Sequence, residues 1–233
     1  FKDVSYCYGY GQNVLEGINL TIKEHEKLTI VGMSGSGKST LVKLLVNFFE
    51  PTIGSITFNE HQIKNIDKHL LRSYINYVPQ TPYVFSGTIM ENLTLGNRSD
   101  VTEKDIFKAC QLAMITEDIE KMPLQYDTVL DENGGILSGG QKQRITIARA
   151  ILSPAKVLIF DESTSGLDAI TEKKLIDNLM SLEDRTIIFI AHRLAIAKRT
   201  DNILVLDKGR IVEQGDHETL MNKNGYYASL VNS

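Results

Sequence analysis

Apolar residues gather in short runs along this chain. The runs at 27–31, 75–78, 156–160, 186–191 and 203–206 have few polar interruptions and lean on Ile, Leu and Val. Such runs suit strands covered on both faces, as in a parallel sheet between helices. Near the N-terminus, residues 4–8 and 14–22 flank the turn sequence Gly9-Tyr10-Gly11-Gln12-Asn13, which predicts an antiparallel β part. Residues 54–58 and 210–213 are further strand candidates. Residues 39–49 read as a helix stopped by Glu50-Pro51. From about 85 to 152 the period changes to that of helices, clearest at 101–113 and 141–152. The charged stretch 216–233 reads as a helix covering the core. The expected class is α/β with a mixed sheet. It is one domain over 1–233, with a core of about 1–84 and 153–233 and an inserted helical subdomain at about 85–152. There is no internal repeat and no low-complexity stretch.

The 233 residues can bury a sizeable core. A net charge of −4 makes a poor general partner for nucleic acid, so none is expected. The longest apolar runs, 157–160 and 187–191, fall far short of the ~20 residues that cross a bilayer. No secretory signal is visible, and the chain begins with Phe1 rather than Met, which reads as a piece of a longer polypeptide. Cys7 and Cys110 have no ligand spacing and are expected to be reduced. His25, His61, His69 and His217 likewise show no ligand spacing and are taken as surface residues.

One glycine-rich segment carries chemistry. Gly32-Met33-Ser34-Gly35-Ser36-Gly37-Lys38-Ser39, followed by Thr40, lies between a predicted strand and a predicted helix. Successive backbone N–H groups in such a turn form an anion-binding hollow, and the helix start adds partial positive charge. Gly35 and Gly37 allow backbone dihedrals that a side chain forbids. Lys38 can reach β- and γ-phosphates, and the Ser39 hydroxyl is a natural Mg2+ ligand. A second strand candidate ends in Asp161-Glu162, at the carboxyl edge where parallel sheets bind ligands. Asp161 is suited to hold Mg2+, and Glu162 to polarise an attacking water. His192 follows the strand candidate 186–191, and a lone His at a strand end is usually structural or exposed.

Leu137-Ser138-Gly139-Gly140-Gln141 introduces a further helix. Ser138 is a good N-cap, and the two glycines leave backbone N–H groups accessible, which makes a second anion-binding helix start. One chain cannot easily close both starts on a single γ-phosphate. Two chains packed head to tail can, each ATP lying between one chain's phosphate loop and the other's Ser138, Gly139, Gly140 and Gln141.

With these motifs in this order, the sequence resembles, over essentially its whole length, the nucleotide-binding domain of ATP-binding cassette transporters, a branch of the P-loop NTPases. The resemblance implies ATP and Mg2+ as ligands, ATP hydrolysis, and a second identical cassette as partner. It also implies a membrane domain absent from this chain and a place on the cytoplasmic face of the membrane. It further implies that Tyr8, rather than Tyr6, stacks on adenine. Gln80, in Tyr77-Val78-Pro79-Gln80, resembles the glutamine that senses Mg2+ and the membrane partner. Ser165-Gly166-Leu167-Asp168 resembles the loop that crosses the dimer, and His192 the switch histidine that contacts the γ-phosphate. The segment Val84-Phe85-Ser86-Gly87-Thr88-Ile89-Met90-Glu91-Asn92-Leu93 is similar to exporters, and Glu132 sits where they carry an acidic residue. Ser163 and Gly166 depart from the more usual alanines, and Asn133 stands where glycine is common. The wording is similar to bacterial exporters of bacteriocins and competence-signalling peptides, which also carry a leader-cleaving peptidase. The competing class is a non-transport cassette ATPase acting on nucleic acid or ribosomes. Such proteins usually insert a coiled coil or fuse two cassettes, and neither is seen here.

Overall fold

The computed structural model describes residues 1–95, 101–132, 134–191 and 194–232. His192 and Asn133 therefore lie outside the described residues. The chain opens with the antiparallel pair β1 (Lys2–Cys7) and β2 (Asn13–Ile18), after which β3 (Lys27–Val31) feeds α1 (Lys38–Leu45). β4 (Ile53–Ser55), the hairpin of β5 (Thr57–Phe58) and β6 (His61–Gln62), α2 (Lys68–Tyr74) and β7 (Ile75–Val78) follow. Next come β8 (Gly87–Thr88), α3 (Ile89–Leu93), α4 (Glu103–Leu112), α5 (Thr116–Glu120), β9 (Val129–Leu130) and α6 (Gly139–Leu152). The chain then returns to the sheet through β10 (Val157–Asp161), α7 (Ala169–Met180), β11 (Thr186–Ile190) and α8 (Leu194–Ala197). It finishes with β12 (Asn202–Asp207), β13 (Arg210–Gly215), α9 (His217–Asn222) and α10 (Tyr226–Asn232).

The central sheet runs β13-β12-β3-β11-β10-β7, parallel except for the β13 edge. A smaller antiparallel sheet, β2-β1-β4, packs beside it, with the Glu16 N–H donating to the Gly209 carbonyl at 2.9 Å. Alternation along the strands sorts the core into layers. Leu158 and Phe160 of β10, with Ile187 and Phe189 of β11, join the cluster under α4, α6 and α7. Ile159, Ile188 and Ile190 face the opposite cluster, which holds α1 and the N-terminal strands. Phe160 stacks on Phe189 at 5.5 Å in register across the two strands. This arrangement brings the carboxyl ends of β3 and β10 to one edge.

Several sequence expectations are corrected. The helix expected over 39–49 ends at Leu45, because Asn47 takes a left-handed φ of 55° and its amide donates to the Ile63 carbonyl at 3.3 Å. The strand expected over 14–22 stops at Ile18, where the Asn19 side chain turns back to accept from the Asp3 N–H at 3.0 Å. The candidate at 54–58 is split by Ile56 into β4 and β5. The stretch 85–152 is not purely helical, since β8 and β9 pair within it. The single C-terminal helix is two helices. The Glu213 carboxylate accepts the Tyr226 and Tyr227 N–H groups at 2.9 and 2.8 Å, which starts α10 afresh at Tyr226. His217 is not simply a surface residue: its Nδ1 pairs with the Tyr227 hydroxyl at 2.9 Å. Cys110 is fully buried, which pushes its thiol up to about 11, and both cysteines are free.

Candidate active site

β3 ends at Val31 and the chain turns through 32–37 before α1 begins. Gly35 and Gly37 take φ of 79° and 104°, a region side chains avoid. At Gly37 a Cβ would also sit 2.8 Å from Leu15 Cδ2 and 3.0 Å from the Val14 carbonyl. Gly37 caps α1 with no side-chain acceptor, so the first amides of the helix keep their N–H groups for an anion. Ser34 is exposed, whereas Ser36 is buried with its hydroxyl unpartnered among the described residues. Buried Lys38 folds over the loop, donating to the Gly32 and Met33 carbonyls at 2.8 and 3.0 Å. Burial lowers its pKa, opposed by the charges of Glu162 and then Asp161.

Tyr8 lies beside this loop, its hydroxyl 3.1 Å from Thr40 Oγ1 and its ring 46% exposed. Tyr6 is only 8% exposed and stacks on Phe49 at 5.5 Å, so it is the buried support and Tyr8 the free face.

Asp161 is buried at the end of β10. Its Oδ1 lies 3.5 Å from Ser39 Oγ, and its Oδ2 accepts the Tyr77 hydroxyl at 2.8 Å. Burial, reinforced by the Asp161 hydrogen bond and charge, raises the Tyr77 pKa well above the ordinary phenol range. Among the described residues no group of three or more His, Cys, Asp or Glu could hold a metal alone. Ser39 and Asp161 are instead two hard oxygen donors, which fit a small cation that draws its remaining ligands from phosphate and water. Glu162 follows with a φ of 50°, unusual for a side chain of its size. Its Oε2 accepts from Gln80 Nε2 at 2.9 Å. The structure thus brings Gln80 to Glu162, and Ser39 to Asp161, at the edge next to the loop.

The second helix start is built as the sequence suggests. Ser138 caps α6 in a reciprocal pair: its Oγ accepts the Gln141 N–H at 3.2 Å, and Gln141 Oε1 accepts the Ser138 N–H at 2.9 Å. Among the described residues the Ser138 hydroxyl serves as an acceptor, in its bond from the Gln141 N–H. Sequence reasoning missed the anchor beneath. Asp118 on α5 accepts Gln141 Nε2 and Arg144 Nη1, each at 2.8 Å, from its two oxygens. The contact spans distant positions, so no local pattern announces it. We expect Asp118→Ala to lower kcat several-fold with nucleotide affinity unchanged, since it loosens Ser138 but not the phosphate loop. Steady-state ATPase assays beside equilibrium nucleotide binding check this.

The loop 165–168 rests on the same helix start. Leu167 is buried where a Cβ on Gly140 would lie 3.3 Å from its Cδ2, and a Cβ on Gly166 would meet Gln143 at 2.7 Å. Gly166 in place of alanine therefore matches the close approach of Gln143. Nothing in the structure explains Ser163, whose buried hydroxyl has no partner among the described residues. The Asp168 carboxylate caps α7 through the Ile170 and Thr171 N–H groups. Glu132 is exposed. Arg149 ties α6 to the 84–93 segment, donating to the Asn92 and Tyr83 carbonyls at 2.7 and 3.1 Å with its guanidinium over the Phe85 ring. Burial lowers its pKa to about 10.

Residues 15–165 match the family model described as ABC transporter, and the chain belongs to that family. It carries the family's ATP-binding domain. It is 58% identical over 232 residues to the pediocin PA-1 transport/processing ATP-binding protein PedD of Pediococcus acidilactici, covering 99% of this chain and 32% of that protein. It is 56% identical over 233 residues to the transport/processing ATP-binding protein ComA of Streptococcus pneumoniae, covering 100% and 32%. The chain thus spans about a third of the length of these relatives. Among solved structures, a bacterial Atm1-family ABC exporter with ATP bound superposes with a TM-score of 0.94 at 36% identity, covering 100% of this chain and 41% of that one. Among the described residues no helix is long and apolar enough to cross a membrane.

Proposed function

We propose that this chain is the ATPase motor of a peptide exporter, pairing head to tail with a second copy around two ATP molecules. The observation that carries this is the pair of anion-ready helix starts, at Gly37 and at Ser138. Gly37 leaves the first amides of α1 without a side-chain acceptor, Ser138 is tied only into its own helix start, and among the described residues no hydrogen bond joins the two. A single γ-phosphate is then best shared between chains. Lys38 and the loop amides hold the β- and γ-phosphates, while Tyr8 offers its ring to adenine. The partner's Ser138 donates its hydroxyl proton to the γ-phosphate, with Gly139, Gly140 and Gln141 shaping that helix start. Glu162 takes a proton from the attacking water, and Gln80 releases Glu162 when the γ-phosphate orders the edge. Mg2+, held by Ser39 and Asp161 with Gln80 nearby, would offset charge on the phosphate oxygens. His192 keeps its assignment as γ-phosphate contact, and Asp168 that of the loop crossing to the partner.

The domain reading is one cassette with an inserted helical part at about 85–152. The membrane domain it drives would contact the exposed Tyr83 and Phe85, placing the cassette on the cytoplasmic side. Peptide cargo is supported by the relatives, two of which are described as transport/processing proteins. The test is solution scattering with Mg2+ and a non-hydrolysable ATP analogue. A particle of twice the cassette mass is expected. A single-cassette mass at saturating nucleotide, with Ser138 remote from the terminal phosphate in a crystal of that complex, overturns the reading.

A further inference from the structure

Tyr77 has no role in the arrangement so far, yet its hydroxyl reaches the innermost acid of the site. In the parallel register of β7 and β10 it pairs with Ile159. Side chains alternate along a strand, so Tyr77 shares a sheet face with Ile159 and, two residues on, with Asp161. The ring is held from the other side by Phe48 just beyond α1, edge to face at 6.0 Å. The sheet, and the segment just beyond the helix whose start carries Lys38 and Ser39, thus both bear on the phenol. Its hydroxyl donates to Asp161 Oδ2 at 2.8 Å, leaving Oδ1 on the Ser39 side at 3.5 Å.

We infer that Tyr77 is a positioning residue for the metal site: by occupying Oδ2 of Asp161 it fixes the carboxylate so that Oδ1 and Ser39 Oγ face one divalent cation. The inference rests on the reading of Asp161 and Ser39 as metal donors. A carboxylate with both oxygens free would rotate between them and lose the orientation that a small cation demands. Groups that orient a metal ligand typically change metal affinity by ~10–100-fold when removed.

The experiment titrates Mn2+ into the cassette saturated with a non-hydrolysable ATP analogue, counting free metal by its electron paramagnetic resonance signal. Tyr77→Phe should weaken Mn2+ binding about tenfold, with nucleotide affinity in chelator unchanged. Asp161→Asn should weaken it at least as much, and Tyr77→Phe should add nothing further in that background. Wild-type Mn2+ affinity in Tyr77→Phe, beside a weakened Asp161→Asn, overturns the positioning role alone. An undiminished loss from Tyr77→Phe in the Asp161→Asn background also overturns it, because the phenol would then act elsewhere. Wild-type affinity in Asp161→Asn overturns the metal-site reading and the inference with it.

Discussion

Glu162→Gln should bind ATP normally, lose about a hundredfold or more of its hydrolysis rate, and accumulate as an ATP-bound pair. The amide has nearly the same shape as the carboxylate, so it fits the left-handed backbone at 162 no worse than the acid does. It can still accept from Gln80 through its carbonyl oxygen. What it loses is the ability to take a proton, and general-base catalysis typically supplies 10²–10⁴-fold. A hundredfold is about 2.7 kcal/mol of barrier at 1.36 kcal/mol per decade. In the proposed arrangement Lys38 and the loop amides hold the nucleotide and Glu162 does not, so binding should be spared. With turnover blocked, ATP remains between the two cassettes. Size-exclusion chromatography with MgATP then shows the pair in the variant and little of it in the wild type. A wild-type hydrolysis rate would remove Glu162 from the role of base.

How much of this could be read from residues alone depended on whether each contact was local. The phosphate loop was legible because its glycines, lysine and serine are consecutive and flanked by a strand and a helix. Asp161 and Glu162 were legible because an uninterrupted apolar run ends on them. The reciprocal cap of Ser138 and Gln141 lies within one helical turn, and its pattern is local too. Asp118 and Tyr77 were invisible for the opposite reason. Asp118 meets Gln141 and Arg144 only after α5 folds back on α6, and Tyr77 meets Asp161 only when β7 docks beside β10. The helix α2 was passed over, although Asp67 caps it through the His69 and Leu70 N–H groups. Its apolar stripe is short, with Leu71 its only buried residue, so periodicity was weak there. The misplaced end of α1 and the split C-terminus share one cause. Asn47 stops one helix and Glu213 starts another through tertiary hydrogen bonds that the helical period of the sequence cannot register.

Lys38→Ala and Ser138→Arg should both abolish hydrolysis while separating completely in nucleotide binding. Lys38 is buried with its ammonium on the Gly32 and Met33 carbonyls, beside the amides of the same loop. Alanine removes the cation that would face two phosphates, and a charge-assisted hydrogen bond is roughly twice as strong as a neutral one. Taking the net loss as that of one such bond, ~1.5–3 kcal/mol, nucleotide affinity should fall by about one to two orders of magnitude, at ~1.4 kcal/mol per decade. Ser138 is exposed and belongs to a different helix start, tied to Gln141 and through it to Asp118. Arginine there leaves the chain's own phosphate loop intact, so binding to one cassette persists. It replaces the small cap with a bulky side chain at the point meant for the partner's γ-phosphate, so the pair cannot close. Equilibrium binding of a fluorescent ATP analogue, run beside the hydrolysis assay, separates the two variants. If Ser138→Arg lost nucleotide as severely as Lys38→Ala, each site would lie within one chain. The division of the γ-phosphate between two chains would then have to be given up.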